Sequence, residues 1–242
     1  MYILERQSDL YSIEGGNLEV LKIPVTQQVT PFAEAGKMVY ITGDVSFETH
    51  LPDNKGIVGG MLGKIVGAGK RLMAGESLFF TYFRGHGEVG FAGSIPGRIL
   101  PIGLNGNTVL AQRDAFIAAV GDVGISVAFQ KRVGAILFGG EGFILEKISG
   151  DGIAFIQVAG DLLSFDLSAG ETMRVDTGSA VAWDDSVTYS IEVIRSVKSA
   201  LFGGEGLFFT TLTGPGTVIV QTMTASKLRQ ELCTPIIKKL GK

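Results

Sequence analysis

The stretch from Gly204 to Gln221 reads GEGLFFTTLTGPGTVIVQ, and 64 residues earlier, from Gly140, the chain reads GEGFILEKISGDGIAFIQ. A third version, GESLFFTYFRGHGEVGFA, begins at Gly75. All three fit Gly-Glu-x-apolar-apolar-x-x-x-apolar-x-Gly-x-Gly, with the sixth position free. Self-similarity at a fixed period marks a supersecondary unit written several times. The similarity extends outward: GNTVLAQRDAFIAAVGDVGI from Gly106 and GETMRVDTGSAVAWDDSVTY from Gly170 are again 64 apart, with a weaker copy, GKMVYITGDVSF, from Gly36. A glycine and a short apolar strand precede each unit, at Gly16-Asn17-Leu18, Gly97-Arg98-Ile99 and Gly160-Asp161-Leu162.

The units are expected to be built of strands. The 242 residues include 35 glycines, about twice the ordinary share, and a glycine inside a helix costs about 1 kcal/mol relative to alanine. Between the glycines lie short alternating runs such as Phe79–Thr81–Phe83, Ile144–Glu146–Ile148 and Thr217–Val220, which read as strands. Each Gly-x-Gly (Gly85/Gly87, Gly150/Gly152, Gly214/Gly216) suits a tight turn with positive φ joining two strands. The chain therefore divides into repeat 1 (residues 1–96, with a glycine-rich insertion at 57–72), repeat 2 (97–159), repeat 3 (160–223) and a tail (224–242). The expected fold is all-β: three homologous sandwich-like or double-stranded β-helix-like repeats around a pseudo-threefold axis. A unit this small buries too little surface to be stable alone, and three side by side would share a core. In the tail, Leu228, Leu232, Ile236 and Leu240 recur every four residues beside Lys227, Arg229, Lys238 and Lys239. This predicts an amphipathic helix interrupted near Pro235, able to cover a sheet edge or a neighbouring subunit, or to touch a membrane surface.

The glycine–glutamate blocks, above all GGEGLFFTTLTGPGTVIVQTM from Gly203 to Met223, resemble the family named for altered inheritance of mitochondria. The resemblance runs from about Glu14 to Met223. It implies a three-repeat β protein comparable with the tryptophan RNA-binding attenuation protein and a ring-like or trimeric homo-oligomer. It supplies no catalytic residues.

The chemistry-bearing residues are few. One cysteine, Cys233, excludes an internal disulfide framework and any multi-cysteine metal site, and two histidines, His50 and His86, exclude a three-histidine one. Both histidines read as solvated residues, His86 in a turn, and Cys233 as a buried structural thiol. A formal net charge of -3 gives no global attraction to phosphate backbones. Gly63–Arg71 (GKIVGAGKR) fails the phosphate-loop frame, and Gly85–Gly90 fits GxGxxG but sits among strands. Asp176-Thr177-Gly178-Ser179 imitates an aspartic-protease strand end, yet the repeat offers no second aspartate for a dyad, so Asp176 is expected to bond its own backbone. Glu76, Glu141 and Glu205 are the only charged residues common to all three blocks. They could converge on a hard cation, while satisfying backbone N–H groups is the plainer role. The segment from Ile57 to Leu72 reads as core cover or as an apolar interaction surface.

These readings favour a non-enzymatic scaffold or assembly protein, a trimer or higher homo-oligomer with an unknown protein partner, associating through sheet edges or flat apolar faces. A module binding a small ligand or RNA between repeats or subunits is the alternative, with nucleic acid disfavoured by charge. No cofactor or resident metal is implied. No run of eighteen apolar residues is present, and the first ten residues lack a signal-peptide core, so a cytoplasmic setting is expected.

Overall fold

Ile144, Glu146 and Ile148 lie on one face of a strand, as alternation requires, but that strand does not stop at the next glycine. In this computed structural model, which describes residues 1–50, 79–131, 143–194 and 207–240, it runs unbroken from Phe143 to Ala159 (β10). On one side β10 pairs antiparallel with β8 (Gly97–Gln112), from Leu145↔Gln112 to Ala159↔Gly97. On the other it pairs with β9 (Phe116–Lys131), from Phe143↔Lys131 to Ile156↔Phe116.

These registers force a bend. Gln112 lies level with Leu145 and Phe116 level with Ile156, a separation of about 36 Å in a straight strand. Yet a single 3-10 turn, Arg113–Ala115, joins them, and so short a link spans at most about 14 Å. The three-stranded ribbon must fold back on itself between these levels, and glycines mark the crease. Gly106 of β8, Gly150 of β10 and Gly121 of β9 all have positive φ, and the β8 register shifts by a bulge between Ser149 and Asp151. A Cβ on Gly150 would fall on the carbonyl oxygen of Asp122 across the ladder, and one on Gly152 on that of Val120.

A second ribbon is creased in the same way. Strand β7 (Phe80–Ala92) pairs along its length with β6 (Met38–His50). Its opposite side pairs with β4 (Glu19–Val25) beyond Gly85 and with β5 (Phe32–Glu34) before it. Thus Gly85/Gly87 and Gly150/Gly152 bend single strands instead of joining two. The hydrogen-bond ladder carries on through the bend because a glycine stands on the partner strand as well, Gly43 opposite Gly87 and Gly121 opposite Gly152. At Gly214–Gly216 the ladder does break. That glycine pair separates β15 (Leu207–Thr213) from β16 (Gly216–Gln221), and the Gly214–Pro215 bond is cis. Strand β15 lies between β12 (Thr172–Asp176) and β14 (Thr188–Ile194) in a small sheet. Strand β16 lies between β11 (Leu162–Leu167) and β13 (Ala180–Asp184) in the large one.

The large sheet is continuous because strands are shared. Strand β5 pairs with β9 (Phe32↔Ala119, Ala33↔Ala118) and β13 with β8 (Ala182↔Ala111, Trp183↔Leu110). Three short strands complete its N-terminal side: β1 (Tyr2–Ile3) on β8, and β2 (Gln7–Ser8) and β3 (Tyr11–Gly15) beyond β4. Strands β8 and β10 are buried on both faces. Val109, Ile148 and Ile156 belong to one apolar cluster, Ile99 and Phe155 to a second, and Leu110 and Leu145 to a third built around Trp183. Each such large apolar side chain contributes about 1.5–3 kcal/mol by leaving water.

One buried charge is held in full. The Glu19 side chain has no exposure, receives Arg6 and Arg98 at 3.0 Å each, and accepts a hydrogen bond from the Ile99 amide at 2.7 Å. It ties the N-terminal segment and β4 to the start of β8. After β16, Thr224 caps a helix, α1 (Ala225–Leu240), accepting from the Lys227 amide at 3.1 Å. The helix passes Pro235 without the expected interruption, since a proline withholds one backbone donor and need not end the element. Leu232 on it is 62% exposed. The insertion at 57–72 lies outside the described residues.

Replacing Gly150 with alanine is expected to destabilise the protein by about 3 kcal/mol or more, from left-handed strain and a backbone clash together. Gly106→Ala, where φ is also positive but a Cβ would meet nothing within 4 Å, should cost only about 1 kcal/mol; urea unfolding of the two variants measures the difference. Glu19→Ala should lower stability by about 2–3 kcal/mol by stripping charge-assisted hydrogen bonds from a buried site, read in the same assay.

Candidate functional site

The residues singled out from sequence scatter over the fold. Glu76, Glu141 and Glu205 lie outside the described residues, as do Gly63–Arg71 and the side chain of Cys233. His50 is exposed at the end of β6, its Nε2 3.1 Å from Glu48 Oε2. His86 is exposed in mid-strand on β7, not in a turn between strands. Asp176 Oδ1 accepts a hydrogen bond from the Gly178 amide at 2.9 Å, closing a turn on its own backbone. Gly90, the last glycine of the GxGxxG match, lies under the Tyr40 ring, which a Cβ there would strike. The Tyr40 hydroxyl donates to Glu88 Oε1 at 2.6 Å; burial, reinforced by that bond, pushes the phenol up to about 12.

The electrostatically unusual group is one the sequence reading passed over. Glu146, in the middle of Ile144–Glu146–Ile148, is 1% exposed, and neither of its carboxyl oxygens has a hydrogen-bond partner. Alternation points it to the face of Ile148, into the first apolar cluster. Glu34, at the end of β5, shares the face of Phe32, which belongs to the same cluster. Its Oε2 is buried and 3.4 Å from Lys37 Nζ, an ion-pair distance without hydrogen-bond geometry. Lys37 itself is 8% exposed and donates to Ser94 Oγ at 2.8 Å. Burial, followed by the negative charge of Glu34, holds the Glu146 carboxyl well above the usual carboxylate range, and Arg113 and Lys37 offset this only in part. Burial likewise raises Glu34, against the pull of Lys37.

An uncompensated buried carboxylate costs several kcal/mol, so a carboxyl in such a place holds its proton. A sequence signal for it existed. A charge flanked at i±2 by isoleucines, in a strand covered by apolar clusters on both faces, has no solvent face to occupy.

The other chemically distinctive surfaces are strand edges. Among the described residues strand β6 pairs only with β7 and no strand lies on its outer edge from Met38 to His50, where Val39 is 57% and Phe47 55% exposed. Among the described strands β11 ends the large sheet, and it exposes Leu163 and Phe165, which share a face with Val220 and Val218 of β16. Among the described residues no group of three or more His, Cys, Asp or Glu side chains is placed to hold a metal ion, and no helix is long and apolar enough to cross a membrane.

Comparison with known proteins places the fold and the lineage. An uncharacterized protein of Streptococcus pyogenes serotype M6 is 30% identical over 195 residues, covering 79% of this chain and 76% of that one. An X-ray crystal structure of a protein from Streptococcus pyogenes superposes with a TM-score of 0.73 at 24% identity, covering 93% of this chain and 98% of that one. The family model described as mitochondrial biogenesis AIM24 matches residues 11–223, which leaves β1, β2 and the helix α1 outside the match. With that match spanning most of its length, the chain belongs to the mitochondrial biogenesis AIM24 family.

Proposed function

We propose that the protein is a non-enzymatic, self-associating scaffold of the cytoplasm, built from three homologous β units about a pseudo-threefold axis and assembled as a homo-trimer or larger. Local geometry supports the three-unit reading. A Cβ on Gly87, Gly152 or Gly216 would meet the Cγ2 of Val45, Val123 or Val187 respectively, at 2.8–2.9 Å. Gln157 accepts from the Ser94 amide at 2.7 Å, and 64 residues on, Gln221 accepts from the Ala159 amide at 2.9 Å.

The junctions between units also correspond. Ala118↔Ala33 and Ala119↔Phe32 join unit two to unit one, and Ala182↔Ala111 and Trp183↔Leu110 join unit three to unit two. In both, the start of one unit's strand pairs with the end of a strand in the unit before. On this alignment the first unit matches the second through Gly43-Asp44-Val45 and Gly121-Asp122-Val123, and Gly36, in the turn before β6, does not correspond to Gly106 in the crease of β8.

The observation that carries the assembly reading is what becomes of the third junction. The equivalent segments are the start of β6 and the strand β12. Among the described residues β6 pairs only with β7, and β12 only with β15. Two edges of a kind that the chain pairs twice internally are thus left available, and an open edge with exposed apolar side chains is a template for another chain. Joining β6 of one copy to β12 of the next would be a heterologous contact, which builds a ring where the rotation closes.

Size-exclusion chromatography with light scattering is expected to give a mass of at least three times 25.6 kDa. Met38→Lys/Val39→Lys, placing charge at the start of β6, should lower that mass to the monomer's without changing the far-ultraviolet circular dichroism. A clean wild-type monomer at micromolar concentration would reject the scaffold reading, and salt-dependent retention on immobilised RNA would favour a nucleic-acid module in its place.

A further inference from the structure

Strand β11 lacks a covering strand that both of its counterparts have. The bend glycines align the units, since Gly87 lies opposite Val25, Gly152 opposite Leu104 and Gly216 opposite Leu167. Leu163 and Phe165 of β11 therefore correspond to Leu21 and Ile23 of β4 and to Leu100 and Ile102 of β8. Those four counterparts are at most 7% exposed, whereas Leu163 is 46% and Phe165 39% exposed. The difference lies on the outer edge. Strand β3 runs antiparallel along β4 (Ser12↔Lys22, Ile13↔Leu21) and brings Tyr11 and Ile13 into the second cluster. Strand β1 runs antiparallel along β8 (Tyr2↔Gly103, Ile3↔Ile102), and Met1 packs on the first cluster. Among the described residues β11 pairs only with β16. The amino-terminal strands are taken up by the first two units, and beyond β16 the chain continues as the helix α1.

The two ends of the large sheet differ in how far they invite pairing. At one end β2 has only Gln7 and Ser8, a short polar edge. At the other, β11 reads Leu-Leu-Ser-Phe-Asp-Leu, six residues with no proline or lysine to blunt them. Alternation settles which backbone groups point away from β16. The Asp161 carbonyl accepts from the Thr222 amide, so Asp161, Leu163 and Phe165 turn their backbone groups toward β16, and Leu162, Ser164 and Asp166 turn theirs outward. The cover on β8 follows the same parity: the Leu4 amide donates at 3.0 Å to the carbonyl of Pro101, the counterpart of Ser164.

We propose that β11 pairs with β11 of a second copy across a two-fold axis through Ser164, carrying the large sheet from one chain into the next. Both internal covers are antiparallel, and two copies of one strand related by such an axis are antiparallel by symmetry. In this register Ser164 faces Ser164 and Leu162 faces Asp166, all residues whose backbone groups point outward. Leu163 faces Phe165, a closely spaced apolar pair between the hydrogen-bonded ones. Asp166 meets Leu162, so no like charges are opposed. Each copy thus supplies to the other what β3 supplies to β4, an extended strand with apolar side chains at the rim of a core. A contact between two six-residue strands is smaller than the roughly 1,200–2,000 Å² that stable complexes bury, so one such pair dissociates on dilution. It uses neither β6 nor β12 and holds or fails independently of the contact between them.

The variant Met38→Lys/Val39→Lys, which removes the β6 contact, isolates this pairing. Sedimentation equilibrium of that variant is expected to give 25.6 kDa at about 10 μM and to rise toward twice that mass at about 1 mM. Adding Ser164→Pro, which withdraws an outward amide from an edge strand, or Phe165→Lys, at a position already exposed, should hold the mass at the monomer's at both concentrations, with unchanged far-ultraviolet circular dichroism. Disulfide trapping in the full chain with Cys233→Ser reads the register and needs no change in β6. Ser164→Cys, on the axis, is expected to form a covalent dimer in oxidising buffer faster than Phe165→Cys does, and a mixture of Leu163→Cys and Phe165→Cys copies should give the mixed dimer. A monomer at about 1 mM would leave this edge to a strand of another protein and overturn the pairing. So would a rise in mass that survives both Ser164→Pro and Phe165→Lys, or trapping of Ser164→Cys no faster than that of Phe165→Cys.

Discussion

A missing methyl group holds this architecture together. At Gly150, and at Gly85 in the preceding ribbon, the carbonyl oxygen of the facing strand occupies the space a Cβ would need. That close approach lets a ladder of hydrogen bonds turn a corner without being cut. Everything downstream follows from the corner. It lets two halves of one strand line opposite walls of a core, places Gln112 within a three-residue turn of Phe116, and exposes both faces of β8 and β10 to apolar neighbours. A ribbon that could not crease would be a flat sheet with a wet side, and Ile148 and Ile156 could not share a cluster.

Much of this was written in the chain. The glycine–glutamate blocks located the bends, the runs between them located the strands, and the spacing of Leu228 and Leu232 located the terminal helix. Strand continuity through the bends was not legible. Whether a glycine ends a strand or creases it depends on what faces it, and Gly43 and Gly121 are remote in sequence from the glycines they oppose. Proline at 235 misled for a related reason, since its cost is one lost hydrogen bond and the helix has others.

The candidate site was partly legible for a subtler reason. Ile144–Glu146–Ile148 was correctly read as a strand, but alternation implies one face in water, and a strand paired on both edges and covered on both faces has none. Two buried acids therefore differ entirely in character. Glu19 gathers two guanidinium groups and a backbone amide and is a fastening; Glu146 gathers nothing and is a liability that the rest of the junction tolerates. Composition could not distinguish them, because the difference lies in whether arginines from elsewhere, Arg6 and Arg98, reach the carboxylate. Such contacts are set by the order of strands in the sheet.

Sharing strands between neighbouring segments also has a consequence for how the molecule is made. Among the described residues Tyr2 and Ile3 find their strand partners only at Gly103 and Ile102, and Ala33, paired on one side with Thr81, finds its second partner at Ala118. The strand at Tyr2–Ile3 therefore stays unpaired until β8 has been made, and contacts so distant in sequence form slowly. During that interval the apolar strands of the amino-terminal portion stand bare, and maturation advances in steps gated by translation, each newly emerged segment completing the one before it.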